Sequence, residues 1–200
     1  LLLLQHGHFT WGENAKDSYF RLVHQTNLIE RWFSDQRKKI KRSPTNNPII
    51  SKRTLISIIK KAFNEFSMKP QSSAVFDIKN DEHISAQIDQ HISNGVIDRG
   101  VATPDHVIRI KPNPLVIEKS VLSKGQEGVN DAFAAYISNY KIYFEKWSKI
   151  SKDSKLMLDP KPKVVWIEGF GLIGIGSSKI EAKAITDIGV QNVMVISDSE

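Results

Sequence analysis

The stretch AVFDIKNDEHISAQIDQHISNG, residues 74–95, carries the pattern that decides the fold class. Residues 74–78 are mostly apolar and rich in β-branched and aromatic side chains, which predicts a strand. Isoleucines then recur at helical spacing and predict a helix over residues 84–92. Asn94 and Gly95 supply the C-cap that ends this helix. A strand followed at once by a helix is typical of an α/β domain.

The neighbouring segments extend this alternation. Apolar residues at helical spacing predict a helix over residues 52–68, and the β-branched run at 107–110 predicts another strand. The alternation predicts an α/β fold in which mixed sheets are covered by helices in three layers. The clearest break is SPTNNP at residues 43–48, which has two prolines and no apolar residue. We therefore expect two consecutive units, residues 1–42 and 49–200.

A long helix and a glycine-rich turn follow in the second unit. Residues 128–150 predict an amphipathic helix with an aromatic stripe, which is typical of a core or of a subunit contact. A strand over 163–168 then leads into GFGLIG, residues 169–174. The spacing G-x-G-x-x-G after a strand is that of a dinucleotide fingerprint, and Asp198 lies near the position of its acidic residue. One alternative is therefore an NAD(P)-binding oxidoreductase domain.

Two features of the same cluster weigh against dinucleotide binding. A true fingerprint leads straight into a helix whose N-terminus meets the pyrophosphate. Here Ile175 and Gly176 come before the N-cap expected at Ser177 or Ser178, and glycine is a poor helix former. We expect no cofactor-binding residue in this cluster. Residues 193–197 are a second possible strand, which ends next to Asp198.

The block GVATPDHVIRIK, residues 100–111, brings charged residues together at the start of the predicted strand. Asp105 and His106 can form an acid–base pair, and Arg109 can hold a phosphate or a carboxylate, as can the lysine that ends the block. We predict that Asp105, His106 and Arg109 bind substrate and line a pocket together with Thr103. The alternative is a tight turn in which the proline fixes the backbone and the aspartate bonds its own loop.

The N-terminal segment LLLLQHGH predicts a strand buried on both faces, with His6 at its end. His6 and His8 are two residues apart and can point to the same face, although a zinc site needs three or four ligands. His83 and His91 lie eight residues apart, too far for the i, i+4 pairing of a helical metal site, and we interpret both as surface residues.

A helix is predicted over residues 14–41. Its core-facing stripe consists of Tyr19, Leu22, Val23, Thr26, Ile29 and Phe33.

Composition narrows the class of protein. The chain has no cysteine, so disulfides and thiolate chemistry are excluded and a reducing, cytoplasmic location is expected. The net charge of +6 comes largely from the basic run at residues 37–42, which is typical of a solvated helix end and not of a nucleic-acid interface. No apolar run is long enough to span a bilayer or to form a signal peptide. The first and last residues indicate an internal piece of a longer chain.

Three blocks carry a resemblance to a known family. They are HGHFTWGENAKDSYFRLVHQTNLIERW (6–32), ATPDHVIRIKPNPLV (102–116) and LDPKPKVVWIEGFGLIGIG (158–176). The first resembles the second metal motif of the class II, zinc-dependent aldolases. The other two resemble the branch that joins a rhamnulose-1-phosphate-type aldolase to a short-chain dehydrogenase. On this resemblance residues 1–42 end an aldolase-like unit, and residues 49–200 precede the dehydrogenase. It also implies that the chain after the glycine-rich turn is mainly helical, so that residues 193–200 continue a helix.

The resemblance also implies function. It makes His6 a ligand of Zn²⁺, with the other zinc histidines upstream, and it makes Tyr19 and Glu30 recurring residues of the first helix. Zinc would stabilise the enediolate formed when a ketose phosphate is cleaved to dihydroxyacetone phosphate and lactaldehyde. NAD(P) would bind only to a downstream domain. The expected ligand is a small sugar phosphate, and we expect the protein to bind neither nucleic acid nor membrane and to form a homo-oligomer. The alternative function is that of a non-catalytic, adducin-like binding module.

Overall fold

A computed structural model gives the fold of the protein. It describes residues 1–3, 7–36, 50–66, 74–151 and 153–199. The chain divides into two compact units, residues 1–39 and 40–200. The predicted metal ligand His6 and the predicted boundary segment 43–48 lie outside the described residues.

The described residues of the first unit form two short paired strands and a long helix. Strands β1 (Leu2–Leu3) and β2 (Gly7–His8) pair antiparallel, and helix α1 spans Ala15–Gln36. Asn14 begins the helix, because its side-chain oxygen accepts the Asp17 N–H at 3.0 Å. The prediction of a strand buried on both faces is wrong, since Leu2 is 73% exposed. A two-residue strand with one partner has neither face covered by the described residues of this unit.

The predicted helix α1 is confirmed over its described residues, but its predicted core-facing stripe is wrong. None of the 22 residues of α1 is buried. The stripe contains Tyr19, Leu22, Val23, Thr26, Ile29 and Phe33, of which only Phe33 is partly covered. The helical spacing identifies an apolar face. It does not identify what covers that face, and the described part of this unit places no second apolar layer on it.

The second unit contains most of the regular structure. In chain order its elements are α2 (Lys52–Glu65), β3 (Val75–Lys79), α3 (Glu82–Asn94), α4 (Pro104–Ile110), β4 (Leu115–Ile117), α5 (Lys119–Leu122), α6 (Gly125–Ser148), β5 (Val164–Ile167), β6 (Gly171–Gly176) and α7 (Lys179–Asp198). A short 3₁₀ turn, Ile97–Arg99, lies between α3 and α4. Helix α3 ends at Gly95 in the left-handed conformation, so the predicted strand, helix and cap over residues 74–95 are confirmed.

The four longer strands form one mixed sheet in the order β3–β6–β5–β4. Strand β6 pairs antiparallel with both β3 and β5, whereas β4 and β5 are parallel. Along β5, successive side chains point to opposite faces of the sheet. Val165 and Ile167 join a core with α2 and α6, and Val164 and Trp166 join a second core with α3, α4 and α7. The sheet therefore lies between two helical layers, and the predicted three-layer α/β fold is confirmed.

One predicted strand is a helix. The run Val107–Ile110 belongs to α4, so the prediction of a strand there is wrong. Thr103 caps α4, because its hydroxyl accepts the His106 N–H at 3.4 Å, and Pro104 occupies the first turn. A threonine N-cap followed by proline is a strong helix start signal. That signal outweighs the weak strand preference of a short β-branched run.

The glycine cluster forms a hairpin and not a strand-to-helix turn. Strand β5 turns at residues 168–170 and returns antiparallel as β6, which contains Gly171 and Gly174. Helix α7 begins only after the N-cap Ser178, as predicted. It continues through residues 193–198, so the alternative of a strand there is wrong. Residues 169–174, whose glycine spacing resembles a dinucleotide fingerprint, form part of the turn and the start of the second strand of a β-hairpin.

Candidate functional site

The predicted substrate-binding residues lie on or near the surface of α4. Asp105 and Arg109 are exposed, and His106 is half-buried. Nδ1 of His106 lies 2.6 Å from the hydroxyl of Thr103, so the histidine is held against the helix cap. Asp105 and Arg109 are one helical turn apart and can share a face. The cleft at one end of the sheet is lined by other residues. The role of this block in substrate binding stays a prediction.

Lys111, at the end of the same block, points into the protein. It is 2% exposed, and its φ of +72° is a left-handed value that is uncommon for a residue other than glycine. Its Nζ donates to the backbone oxygen of Asp159 at 2.5 Å and lies 3.9 Å from the ring centroid of Tyr140. Burial lowers the pKa of Lys111 to about 8, with the nearby Lys163 adding to this effect and Asp159 opposing it. Blocks 102–116 and 158–176 therefore meet at the contact between Lys111 and Asp159.

The segment DPKPK, residues 159–163, brings two further lysines to this place. Asp159 fixes the turn, because its carboxylate accepts the Lys161 N–H at 3.1 Å and lies 3.4 Å from Lys161 Nζ. Lys161 is only 9% exposed, and its Nζ lies 4.3 Å from the ring centroid of Phe63. Such a contact between an ammonium group and an aromatic face stabilises a partly desolvated cation. Pro162 restricts the backbone between Lys161 and Lys163, and Pro160 restricts it directly before Lys161.

A cleft of about 120 Å³ opens beside this segment. It lies at the end of the sheet where β3 and β5 begin and β6 ends. Its lining residues are Phe63, Ala74, Asp159, Lys161, Pro162, Lys163, Ile175, Gly176 and Ser177. Apolar side chains thus form part of the wall, and two lysines and one aspartate supply its charged groups. This combination of an apolar wall with a few polar groups is typical of small-molecule sites.

Glu181 occupies the N-terminal end of α7 next to the cleft. Its N–H is capped by the Ser178 hydroxyl at 3.2 Å, and its carboxylate accepts the Ser177 N–H at 2.7 Å. Ser178 and Glu181 have the S-x-x-E spacing of a capping box, but the Glu181 carboxylate accepts the N–H of Ser177, one residue before the N-cap, and not that of Ser178. The same carboxylate lies 3.0 Å from Lys163 Nζ. The hydrogen bonds from Ser177 and the bond from Lys163 lower the pKa of Glu181 to about 2, so its carboxylate is ionised at neutral pH.

A second polar cluster lies at the carboxyl ends of the parallel strands β4 and β5. The carboxylate of Glu168 accepts the Lys119 N–H at 2.9 Å, and Asp89 accepts the Gly169 N–H at 2.7 Å. Burial raises the pKa of Asp89, while the bond from Gly169 opposes that change. These contacts satisfy the first N–H of α5 and an N–H in the β5–β6 turn. We assign the cluster a structural role.

His91 is the one histidine of α3 that sequence interpretation misplaced. His83 is exposed as predicted, but His91 is 2% exposed, so its assignment to the surface was wrong. Its Nε2 lies 3.0 Å from the backbone oxygen of Val193, and its ring packs 5.9 Å from that of Trp166. Position 91 also continues the helical spacing of Ile84, which is the signal that predicts burial.

Sequence interpretation also missed Lys161, Lys163 and Glu181 as site residues. The signals that identify them are the alternation of proline and lysine in DPKPK and the S-x-x-E spacing at the start of α7. Among the described residues, no group of three or more histidine, aspartate or glutamate side chains is placed to hold a metal ion. No described helix is long and apolar enough to cross a membrane.

The fold and the cleft define a three-layer α/β domain with lysines gathered at one end of its sheet. The chain belongs to the family described as aldolase class II, second domain, which matches residues 51–200. That match covers nearly all of the second unit, from the start of α2 onwards. The family is one of class II aldolases, which are lyases that act on carbon–carbon bonds.

One curated relative and the solved structures complete the comparison. The uncharacterized oxidoreductase YuxG of Bacillus subtilis (strain 168) is 20% identical over 195 residues, which cover 92% of this chain. The chain spans only 27% of the length of that relative. No solved structure is significantly similar to this chain.

Proposed function

We propose that this chain is part of a metal-dependent aldolase that cleaves a ketose 1-phosphate such as rhamnulose 1-phosphate. The products would be dihydroxyacetone phosphate and lactaldehyde. The observation that carries this proposal is the family match over residues 51–200, together with a fold that presents a lysine-lined cleft. Cationic side chains beside an apolar wall suit a small, negatively charged substrate.

We further propose that the aldolase is fused to a short-chain dehydrogenase that follows it in the same protein. The relative YuxG is named an oxidoreductase, and this chain spans 27% of it. A longer protein that combines both activities would explain a class II aldolase match within a protein named in this way. In this proposal NAD(P) binds the downstream domain, and the whole protein is a cytoplasmic homo-oligomer that binds neither nucleic acid nor membrane.

The proposed metal is Zn²⁺, with His6 as one ligand. The described residues do not fit a complete zinc site, because they contain no cluster of three suitable ligands. The remaining ligands must therefore come from outside the described residues. We expect the 200-residue chain alone to bind zinc weakly and to be inactive in cleavage.

The test uses the full-length natural protein that contains this chain. Purified protein is mixed with rhamnulose 1-phosphate, and the phosphorus NMR signal of dihydroxyacetone phosphate is followed, because this readout is independent of any dehydrogenase step. Cleavage should disappear on treatment with a chelator and return on addition of Zn²⁺. If zinc-loaded protein gives no dihydroxyacetone phosphate from this or related ketose 1-phosphates, the aldolase proposal is wrong. The adducin-like binding module would then be preferred.

A further inference from the structure

Strand β3 lies at one edge of the four-stranded sheet. It pairs with β6 on one side, and no described strand lies on its other side. An edge strand presents a row of backbone N–H and C=O groups that can pair with another strand. Strand β3 has five residues, whereas β4 at the opposite edge has three. The β3 edge is therefore the longer of the two places where the described sheet can accept a further strand.

Hydrogen bonds within the sheet show which backbone groups of β3 face this edge. The Ile175 N–H donates to the Lys163 oxygen at 2.8 Å, on the side of β6 that faces β5. Backbone groups of successive residues point to alternate sides of a strand, so those of Gly174 point towards β3 and bond to Asp77, its partner in the register. The backbone N–H and C=O groups of the two residues on either side of Asp77 therefore point outwards, away from β6.

The side chains of β3 put opposite charges on one face of the edge. Phe76 and Ile78 pack on the core that contains α2 and α6, so Asp77 and Lys79 share the other face. Asp77 is half-buried, and among the described residues its carboxylate contacts no cationic side chain. Lys79 is 48% exposed and lies 3.2 Å from the Asp81 carboxylate, in a surface pair of the kind that contributes little to stability. The edge thus combines a carboxylate that lacks a cation with an accessible lysine two residues further on.

A second copy of the chain supplies the complementary charges. Two β3 strands related by a two-fold axis pair antiparallel and form an isologous contact. With Ile78 on the axis, Asp77 of each copy lies opposite Lys79 of the other copy, and opposite charges in such cross-strand pairs are stabilising. With Asp77 on the axis, two carboxylates would lie opposite each other, which is destabilising. The charges therefore select the register that has Ile78 on the axis.

We propose that β3 forms an interface between two copies of this chain, paired antiparallel about Ile78 with two Asp77–Lys79 ion pairs across the axis. The two four-stranded sheets then join into one continuous sheet. The backbone groups of Ile78 in the two copies bond to each other, because they point outwards from β3. This inference rests on the homo-oligomer of the proposed function and identifies one of its contacts, and it does not depend on aldol cleavage.

The experiment is disulfide cross-linking of the full-length protein, followed on non-reducing gels. This chain contains no cysteine, and the unmodified protein corrects for any cysteine elsewhere in the full-length protein. In Ile78→Cys the two Cα atoms would be about 5.5 Å apart, within the range of roughly 4.4–6.8 Å that a disulfide bridges. In the matched control Asp77→Cys they would be diagonal neighbours roughly 7–8 Å apart, which is too far. Ile78→Cys should therefore cross-link at least about tenfold faster than Asp77→Cys.

Charge reversal tests the two ion pairs in the Ile78→Cys protein. Asp77→Lys and Lys79→Asp should each slow cross-linking about tenfold, because each places like charges opposite each other twice across the axis. The two reversals together should restore the rate, since both ion pairs are rebuilt with opposite sign. Lys155→Asp is the matched control, because Lys155 belongs to no strand and forms an exposed pair with Asp153. It should leave the rate within about twofold, since exposed charges are screened.

Three results would overturn the interface: no cross-link in Ile78→Cys, equally fast cross-linking in Asp77→Cys, or a combined charge reversal that stays as slow as the single ones. If the cysteine variants fail to fold by circular dichroism, amide hydrogen exchange of the unmodified protein decides the question. The outward N–H groups of Phe76 and Ile78 should then be protected, and dilution should remove the protection.

The remaining outcomes separate this inference from its alternatives. Exchange protection that does not depend on concentration would assign the edge to another segment of the full-length protein and reject the second copy. Absence of protection at any concentration would also reject it. Aldol cleavage without the Ile78 cross-link would retain the aldolase and reject the interface, and the cross-link without cleavage would do the reverse.

Discussion

Replacing Gly174 by alanine should destabilise the protein strongly, because this glycine allows α7 to lie directly on β6. A methyl group there would sit 2.8 Å from both the Ala182 oxygen and the Thr186 nitrogen of α7. Ordinary contacts begin near 3.4 Å, so the helix would have to move by about 0.6 Å, the difference between 3.4 and 2.8 Å. Strand β6 cannot yield instead, since Gly174 is paired to Asp77 on one side and to Val164 on the other.

Overpacking of a well-packed core costs about 1–3 kcal/mol, and a site enclosed on three sides should be near the upper end. The control is Gly189→Ala, which lies at the same interface but within α7. A methyl group there meets Val164 at 3.4 Å and Leu172 at 3.8 Å, which are ordinary contacts. Alanine also favours the helix by about 1 kcal/mol over glycine. The effect of a lost glycine on the unfolded chain is shared by both variants and cancels in the comparison.

The assay is urea unfolding followed by tryptophan fluorescence and circular dichroism, since Trp166 is buried in the affected core. With urea slopes of about 1–3 kcal/mol per molar, Gly174→Ala should lower the midpoint by about 1 M or more, and Gly189→Ala should leave it unchanged or raise it. Equal midpoints for Gly174→Ala and the unmodified protein would refute the packing argument. Equal losses in the two variants would show that the glycines act through something other than the space between β6 and α7.

Three further predictions concern charge, nucleotides and metal. The pKa of Lys111 is near 10.5 in the unfolded chain and about 8 in the folded protein, so this group makes the free energy of unfolding rise with pH between these two values. Lys111→Met should therefore flatten the rise in unfolding midpoint measured from pH 7 to 10. NADH and NADPH should show no micromolar binding to this 200-residue chain by calorimetry, and micromolar binding that is lost in Gly171→Ala would restore the oxidoreductase alternative. In the full-length protein, His6→Ala should remove zinc measured by elemental analysis while Tyr19→Phe retains it, and stoichiometric zinc in His6→Ala would reject the ligand assignment.

The layers of the second unit could be predicted from sequence because its elements are amphipathic and carry their own end signals. Helix α3 has an apolar stripe and ends at Gly95, and α7 begins at Ser178. The run Val107–Ile110 misled because side-chain preference for strands is weak in a segment of four residues. The side chain of Thr103 accepts a backbone N–H of the first helical turn, and Pro104 has a φ angle that is already restricted to helical values. These two local signals therefore decide the structure of the segment.

The helical spacing of apolar residues was least informative about which other parts of the chain cover the apolar face of a helix. The apolar face of α1 is present, yet the described part of its unit leaves it exposed. The same limit applied to His91, whose position on α3 allows burial only because Trp166 and Val193 come from distant parts of the chain to meet it. A repeat along one helix shows which side chains lie together. The side chains that cover them come from residues that the repeat does not contain.

The spacing of glycines in a sequence is compatible with two different structures, for a physical reason. A strand-to-helix turn around a pyrophosphate and a strand packed beneath a helix both need residues without a Cβ, because in each case another backbone or a ligand approaches closely. In this chain Gly174 and Gly176 meet the backbone of α7, and the six-residue pattern is satisfied by a hairpin. What distinguishes the two structures is the next segment, where Ile175 continues the strand instead of opening a helix.

Lys161 and Lys163 were not predicted as site residues, and the burial of Lys111 was not predicted, because a charged residue is usually solvated and nothing local marks the exceptions. Lys111 is buried by Tyr140 and by the backbone of Asp159, which lies 48 residues further on. The turn that presents Asp159 also presents Lys161 and Lys163, so the hydrogen bond from Lys111 positions the segment that lines the cleft. Two sequence blocks that were identified for separate reasons therefore contribute to one site. Lys111 therefore helps to position the segment that lines the cleft, although it does not line the cleft itself.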